Sequence, residues 1–524
     1  MKIFALLIVF LISFQGMSQK SMIVFLKNKI SNESFNISTA LSKRSLIRRA
    51  NKEIQEDERD LPISNHYLQE LVAFGDVEKQ SKWLNAVIYS SPLSPVQLQG
   101  KFDFIERIEV FEQHHSSGIV KEPLPTSKAL NYGFSKTQIE QLNLDCLHDQ
   151  GYTGTGIYLA IIDAGFTNMN TVSYFDSIFL QGRVLDTWDF PLNNADVFGN
   201  SSHGTAVSSC IVGQNSTAIQ PYIGTAKDVD IALYRSEVAA TETVSEEFDL
   251  VLALERCDSV GVDIANISLG YFGFDDTLTN HIYADMDGNT TIAALGVDIA
   301  ASKGIAVIIA AGNGGPGKIS TPCDADSCLC IGAVDSLSNY AFFSSVGPSS
   351  DGQVKPDVVA RGLGAWVVTP EDTVLSGNGT SFASPITCGA TACLMQANPT
   401  KSVQEVFDAI RASADQYTVP DSLRGYGLPD FCLADQLLKG TASIAELNKE
   451  KLVYPNPTND FIHFSASFLD KNVRVRIINS IGQEVFKDTS VDDSTIDVRK
   501  LPNGVYVLEI VSETQNERLN FVKN

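Results

Sequence analysis

Four apolar runs, Ile157–Ile162, Ile231–Tyr234, Ile264–Leu269 and Ile305–Ala311, alternate with stretches of helical periodicity such as Val244–Cys257 and Ile292–Ser302. Strands that read as near-continuous apolar segments are buried on both faces, and intervening helices are the connections that parallel strands need. From Gly151 onward the chain is therefore predicted to be an α/β domain, a parallel sheet with helices on both faces. After about residue 445 the period changes to two, in Val473-Arg474-Val475-Arg476-Ile477 and Gly504-Val505-Tyr506-Val507-Leu508-Glu509-Ile510, and a small β-sandwich is expected there.

The N-terminal part has a different character. Lys2 precedes an apolar run from Ile3 to Phe14, and small residues Gly16 and Ser18 follow at a spacing that suits signal peptidase. The longest later apolar run, Ile305–Ala311, is far shorter than the roughly 20 residues of a membrane helix, so no transmembrane segment is expected in the mature protein. Ser21–Lys29 reads as a strand entering a small α+β domain that ends near Phe111, and His114–Ala129 has the Ser, Gly and Pro content of a linker. The expected organisation is a signal peptide at 1–18, an N-terminal domain and linker at 19–125, the sheet domain at 126–445 and the sandwich at 446–524.

Charge separates the same parts. Residues 131–440 hold 13 of the chain's 39 Lys and Arg but 36 of its 62 Asp and Glu, while residues 20–60 carry nine basic and six acidic side chains. A chain with net charge -23 is no partner for nucleic acid. The acidity suits a solvated face, cation sites or basic substrates. All nine cysteines lie in the acidic middle, and export permits disulfides there. An odd number leaves at least one unpaired. Cys323, Cys328 and Cys330 crowd one loop and offer a bridge, whereas zinc would need a fourth ligand.

Four segments of the middle domain carry chemistry. Asp163 ends the apolar strand Ala160-Ile161-Ile162, where it either caps a turn or pairs with a buried partner at the carboxyl edge of the sheet. His203 opens His203-Gly204-Thr205-Ala206, a short helix closed by Gly213; of seven histidines it alone has such a frame, and it is the candidate general base. Ser381 lies in Gly379-Thr380-Ser381-Phe382-Ala383-Ser384-Pro385, ahead of an all-round apolar helix. Pro385 is expected in the first turn, and the helix N-terminus places free backbone donors beside Ser381. Asn313 follows strand residues Ala310 and Ala311, from where its amide can donate to an oxyanion. Gly312-Asn313-Gly314-Gly315-Pro316-Gly317 also satisfies a dinucleotide-binding glycine pattern, but Pro316 and Pro322 prevent the helix such a site requires.

The order Asp163, His203, Ser381, with Asn313 before the serine, is that of subtilisin. Over about residues 130–440 the chain resembles the subtilases, the subtilisin-like serine proteases. The resemblance implies a secreted serine endopeptidase acting on polypeptide substrates through an acyl-enzyme. Asp163 would orient the base, His203 act as base and then acid, Ser381 attack, and Asn313 stabilise the oxyanion. Ser268, Leu269 and Gly270, with Gly312, would bind substrate, the first three as a strand-pairing wall. No cofactor is required and no metal ligand is assigned; structural calcium remains an option, with Asp285-Met286-Asp287-Gly288-Asn289 presenting either oxygens or an Asx turn. Phe382 stands where the family usually has methionine, and Ala164 where it has Ser or Thr.

Residues 20–111 resemble a subtilase propeptide, which assists folding and inhibits until cleaved, with Lys82-Trp83-Leu84-Asn85 as the anchor. Tyr454-Pro455-Asn456-Pro457, Pro502-Asn503-Gly504-Val505-Tyr506 and Phe521-Val522-Lys523 resemble the sorting domain of proteins exported by the type IX machinery of Bacteroidota. An extracellular or outer cell-surface location follows. The alternative to a protease is a catalytically silent surface adhesin on the same fold.

Overall fold

The apolar alternation becomes a seven-stranded sheet in the computed structural model, which describes residues 20–29, 35–111, 132–215, 219–317, 319–441, 453–454, 458, 460–464, 474–479, 483–488, 495–511 and 516–523. Its strands are all parallel, in the spatial order Val358–Arg361, Leu329–Val334, Ala306–Ala310, Ile264–Ile267, Tyr158–Asp163, Asp230–Arg235, Val184–Asp189. Each of the four predicted runs forms a strand. The other three gave weaker signals: Val184–Asp189 is a half-exposed edge, Leu329–Val334 is interrupted by Cys330 and Gly332, and Val358–Arg361 has only four residues.

Alternation within Tyr158–Asp163 divides the interior. Leu159 and Ile161 join one core with helices His203–Val212 and Thr380–Ala397, and Ala160 and Ile162 join another with helices Val244–Val260 and Ile292–Ser302. Thr380–Ala397 is central: Ile386, Ala390 and Leu394 have no exposed surface. Burying one such aliphatic side chain contributes about 1.5–3 kcal/mol, which makes this helix a rigid base for whatever its first turn carries.

The expectation for Pro385 is corrected here. The helix begins at Thr380, so Pro385 sits inside it, one turn later than expected. Proline has no N–H, and the carbonyl four residues earlier, that of Ser381, is left without its helical donor.

In the N-terminal domain, strands Asp76–Ser81, Ala86–Ser91, Lys20–Leu26 and Ile105–Val110 form an antiparallel sheet in that order. Its pleat faces two ways. Met22, Val24 and Leu26 pack with Leu71 and Leu98 of the domain's own helices, while Ile23, Phe25 and Trp83 join the core beneath Val244–Val260. Basic side chains follow that contact: Arg44 reaches Asp263, Arg48 and Arg49 reach Asp258, and Lys79 reaches Asp249. The Ser81 hydroxyl and the Trp83 N–H donate to Glu255. Part of the acidity of the middle domain is therefore a docking face rather than a solvated one.

Two disulfides form, Cys146–Cys432 between helices Asp145–Asp149 and Phe431–Leu438, and Cys323–Cys330, which ties the loop to strand Leu329–Val334, where Cys330 lies rather than in the loop. Five cysteines remain as buried thiols.

Residues 442–524 form a separate unit. A three-stranded and a four-stranded antiparallel sheet enclose one core of Ile462, Val475, Ile477, Ile496, Tyr506, Leu508 and Phe521. Of the alternating residues, Val475, Ile477, Tyr506 and Leu508 face the core while Arg474, Arg476 and Val505 face outward. The signal segment 1–18, the linker at 114–129 and residues 455–457 lie outside the described residues.

Candidate active site

Three adjacent central strands end at one place. Tyr158–Asp163 delivers Asp163, Ile264–Ile267 leads into Ser268, and Ala306–Ala310 leads into Asn313. The helices His203–Val212 and Thr380–Ala397 bring His203 and Ser381 to the same carboxyl edge, where open parallel sheets place their ligands.

Asp163 is fully buried, and its Oδ1 accepts from His203 Nδ1 and from the Ala164 N–H, each at 2.8 Å. A carboxylate can only accept, so the Nδ1 proton faces Asp163 and the lone pair of Nε2 is left for chemistry. Asp163 Oδ2 has no partner among the described residues, and the methyl group of Ala164 offers none. Burial disfavours a charged His203, but the charge of Asp163 and their hydrogen bond outweigh it, and the imidazole is held above the ordinary value of 6.5. Close approach of the two elements depends on Gly204, since a Cβ there would lie 2.4 Å from the Gly165 carbonyl oxygen.

Ser381 is the second residue of its helix and follows Gly379, whose φ of 155° lies in the range that favours glycine. Its hydroxyl donates to the Ser268 carbonyl at 3.4 Å rather than to His203. The His203 ring instead meets Phe382, with ring centroids 6.2 Å apart. Asn313 Oδ1 accepts from both the N–H and the hydroxyl of Thr380, at 2.9 and 3.1 Å, so its Nδ2 protons remain to be donated. A Cβ built on Gly379 would stand 3.7 Å from the Ser381 nitrogen and 3.8 Å from Asn313 Nδ2. Two hydrogen-bond donors thus lie within 3.8 Å of one point beside the Ser381 side chain.

Of the residues expected to bind substrate, Gly270 is exposed, Leu269 is half-buried against the core and Ser268 is buried. Gly270 and Gly312 flank Ser320: a Cβ on either would come within 2.8 Å of its hydroxyl oxygen. Ser320 was not singled out in the sequence, nor was Thr380 as the residue that orients Asn313. Thr380 is adjacent to the serine, and that adjacency is the only signal that could have found it. Asp287 accepts from Asn289 N, Thr290 N and the Thr290 hydroxyl, the pattern of an Asx turn, and Asp285 accepts from Ile282 N; both carboxylates are engaged within their own loop.

Residues 154–428 match the model of the subtilase family, residues 21–127 that of the peptidase S8 propeptide domain of Bacteroidota, and residues 452–524 that of a secretion system C-terminal sorting domain. Subtilisin DY of Bacillus licheniformis is 30% identical over 285 residues, 53% of this chain and 90% of the relative. Subtilisin NAT of Bacillus subtilis subsp. natto is 29% identical over 345 residues, 65% of this chain and 78% of the relative. A solved cold-adapted subtilisin-like serine proteinase is similar over 53% of this chain and 90% of its own, at 24% identity and a TM-score of 0.42.

Proposed function

Because the chain belongs to the subtilase family and is a serine-type endopeptidase, we propose that Asp163, His203 and Ser381 are its catalytic triad and that Asn313 and the Ser381 N–H bind the oxyanion. The observation that carries this assignment is the pair of donors, Asn313 Nδ2 and Ser381 N, within 3.8 Å of one point beside the serine side chain. The Asp163–His203 hydrogen bond supports the same reading.

The reaction follows from these placements. Substrate backbone pairs with Ser268, Leu269 and Gly270 and brings its carbonyl oxygen into the donor space, with Gly312 leaving room at the opposite wall. The Ser381 hydroxyl leaves its weak contact with the Ser268 carbonyl and turns toward His203, a tightening expected when substrate enters. His203 Nε2 takes the proton as Oγ attacks the carbonyl carbon. Asp163 holds the tautomer and stabilises the imidazolium. His203 then protonates the leaving amine, and water, activated by the same nitrogen, hydrolyses the ester of the acyl-enzyme.

The remaining parts take roles around that chemistry. Residues 19–125 serve as propeptide and linker, the folded part inhibiting the enzyme while docked on Val244–Val260. Residues 126–445 are the peptidase and 446–524 the sorting domain, which takes the protein across the outer membrane through the type IX machinery to the cell surface or beyond. The family match of residues 452–524 supports export, and no described helix is long and apolar enough to cross a membrane.

A fluorophosphonate probe on the processed protein tests the assignment. Expected is stoichiometric labelling at Ser381 and loss of peptide hydrolysis in Ser381→Ala. Hydrolysis retained by that variant would refute the serine mechanism, and an unlabelled, inactive native protein would favour the adhesin reading.

A further inference from the structure

The carbonyl of Ser381, deprived of its helical donor by Pro385, is not left unpaired. The Ser268 hydroxyl donates to it at 3.0 Å. That hydroxyl has little freedom, because Asn266 Nδ2 donates to Ser268 Oγ at 3.0 Å and the single hydroxyl proton is then directed to Ser381. The orientation of the Asn266 amide is set in turn by Ser384, whose hydroxyl donates to Asn266 Oδ1 at 2.9 Å. Asn266 and Ser384 are fully buried and Ser268 is 5% exposed, so bulk water does not compete for these bonds.

We propose that Ser384, Asn266 and Ser268 form a one-directional hydrogen-bond relay that positions the nucleophile, with Asn266 as the positioning residue that decides which way the Ser268 proton points. The inference rests on Ser381 being the nucleophile. Holding the Ser381 carbonyl restrains the torsion between its Cα and carbonyl carbon, while the opposite side of Cα is held by the helix start at Thr380. Ser268 also belongs to the segment proposed to pair with substrate, so one residue couples the substrate strand to the attacking residue. Misplacement of a reacting group by about 1 Å can cost about a hundredfold in rate, which makes such a coupling worth building.

Asn266→Asp is the informative substitution at a pH high enough to ionise a fully buried carboxyl, because the carboxylate then accepts from Ser384 and Ser268 alike, whereas the protonated acid donates to Ser268 as the amide does. The carboxylate turns the Ser268 proton away from Ser381 with almost no change of shape. Ser268→Ala removes the same donation with a smaller disturbance, and Ser268→Thr keeps it. The processed enzyme is assayed for kcat, KM and the rate constant of phosphonylation by a fluorophosphonate, with thermal melting as the control for folding.

Asn266→Asp and Ser268→Ala are each expected to lower kcat and the phosphonylation rate about tenfold, the size of one well-made hydrogen bond, with KM within about twofold. Ser268→Thr should recover most of the loss, and the double variant should be no worse than the poorer single one, since both act on one bond. Phosphonylation unchanged in Ser268→Ala, a loss confined to KM or melting, or fully additive effects would overturn the relay. Phosphonylation that persists in Ser381→Ala would overturn instead the assignment of the nucleophile, so the two failures are separable.

Discussion

Removing Asp258 should loosen the propeptide without touching catalysis. Asp258 has no exposed surface and receives three charged hydrogen bonds from Arg48 and Arg49, the longest 3.1 Å, across the contact between the N-terminal domain and helix Val244–Val260. The two guanidinium side chains are only 3% and 5% exposed. In Asp258→Ala, Arg48 keeps only the Val262 carbonyl, and Arg49 keeps only Asp60. Breaking a buried ion pair from one side costs about 3–5 kcal/mol, because the remaining charge stays desolvated. Arg49 retains one carboxylate, so the lower figure applies. About 3 kcal/mol corresponds to a Kd about a hundredfold weaker. Dilution of the processed but still associated complex, with recovery of peptide hydrolysis followed against protein concentration, measures that Kd. Once the propeptide has left, position 258 faces solvent on the side of the sheet away from His203 and Ser381, so kcat/KM of the free enzyme should change less than about twofold. An unchanged Kd would show that the ion pairs contribute nothing net to docking, and a collapse of kcat/KM would show that Asp258 supports the active domain itself.

As the proposed general base, His203 must be neutral to act, and its imidazole is held above 6.5 by Asp163 against the effect of burial, so kcat/KM should fall as pH drops through a midpoint above 6.5. Asp163→Asn removes the charge and leaves at most a neutral hydrogen bond, and should move that midpoint down; a native midpoint at or below 6.5 would contradict the pairing. Asn313→Leu, similar in volume but with no donor, should lower kcat about 10² to 10³-fold with little change in KM, a magnitude known from this family's own oxyanion asparagine; a change mainly in KM would make Asn313 a substrate ligand instead. A stop after residue 445 should leave hydrolysis of a small peptide within about threefold, since residues 442–524 enclose their own core, while cell fractionation should find the truncated protein retained in the periplasm. Normal export with lost activity would make the sandwich part of the enzyme.

The four residues proposed for catalysis stood out in the sequence because each sits in a short segment whose composition is dictated by its immediate neighbours. Asp163 ends a buried strand, His203 opens a helix of small residues, and Ser381 and Asn313 are bordered by Gly379 and Gly312, whose φ of 155° and 100° disfavours any side chain. Such constraints act within a few residues, so a linear reading finds them. Val358–Arg361 escaped because four residues carry too little period, and Pro385 was misplaced because helix starts are decided by capping geometry rather than by composition.

The sequence by itself therefore determined the fold class and the order of the parts and singled out the side chains proposed to react, all of which depend on local hydrophobic period and residue chemistry. Only the tertiary structure decided what those side chains touch. Arg48 and Asp258 are 210 positions apart, and Ser268 and Ser381 are 113. The excess of basic residues at one end and of acidic residues in the middle was visible as a count, but their pairing was not. A hydrogen bond is fixed by distances of about 3 Å and by the direction of a single proton, and chain position carries no information about either until the sheet has brought its strand ends together.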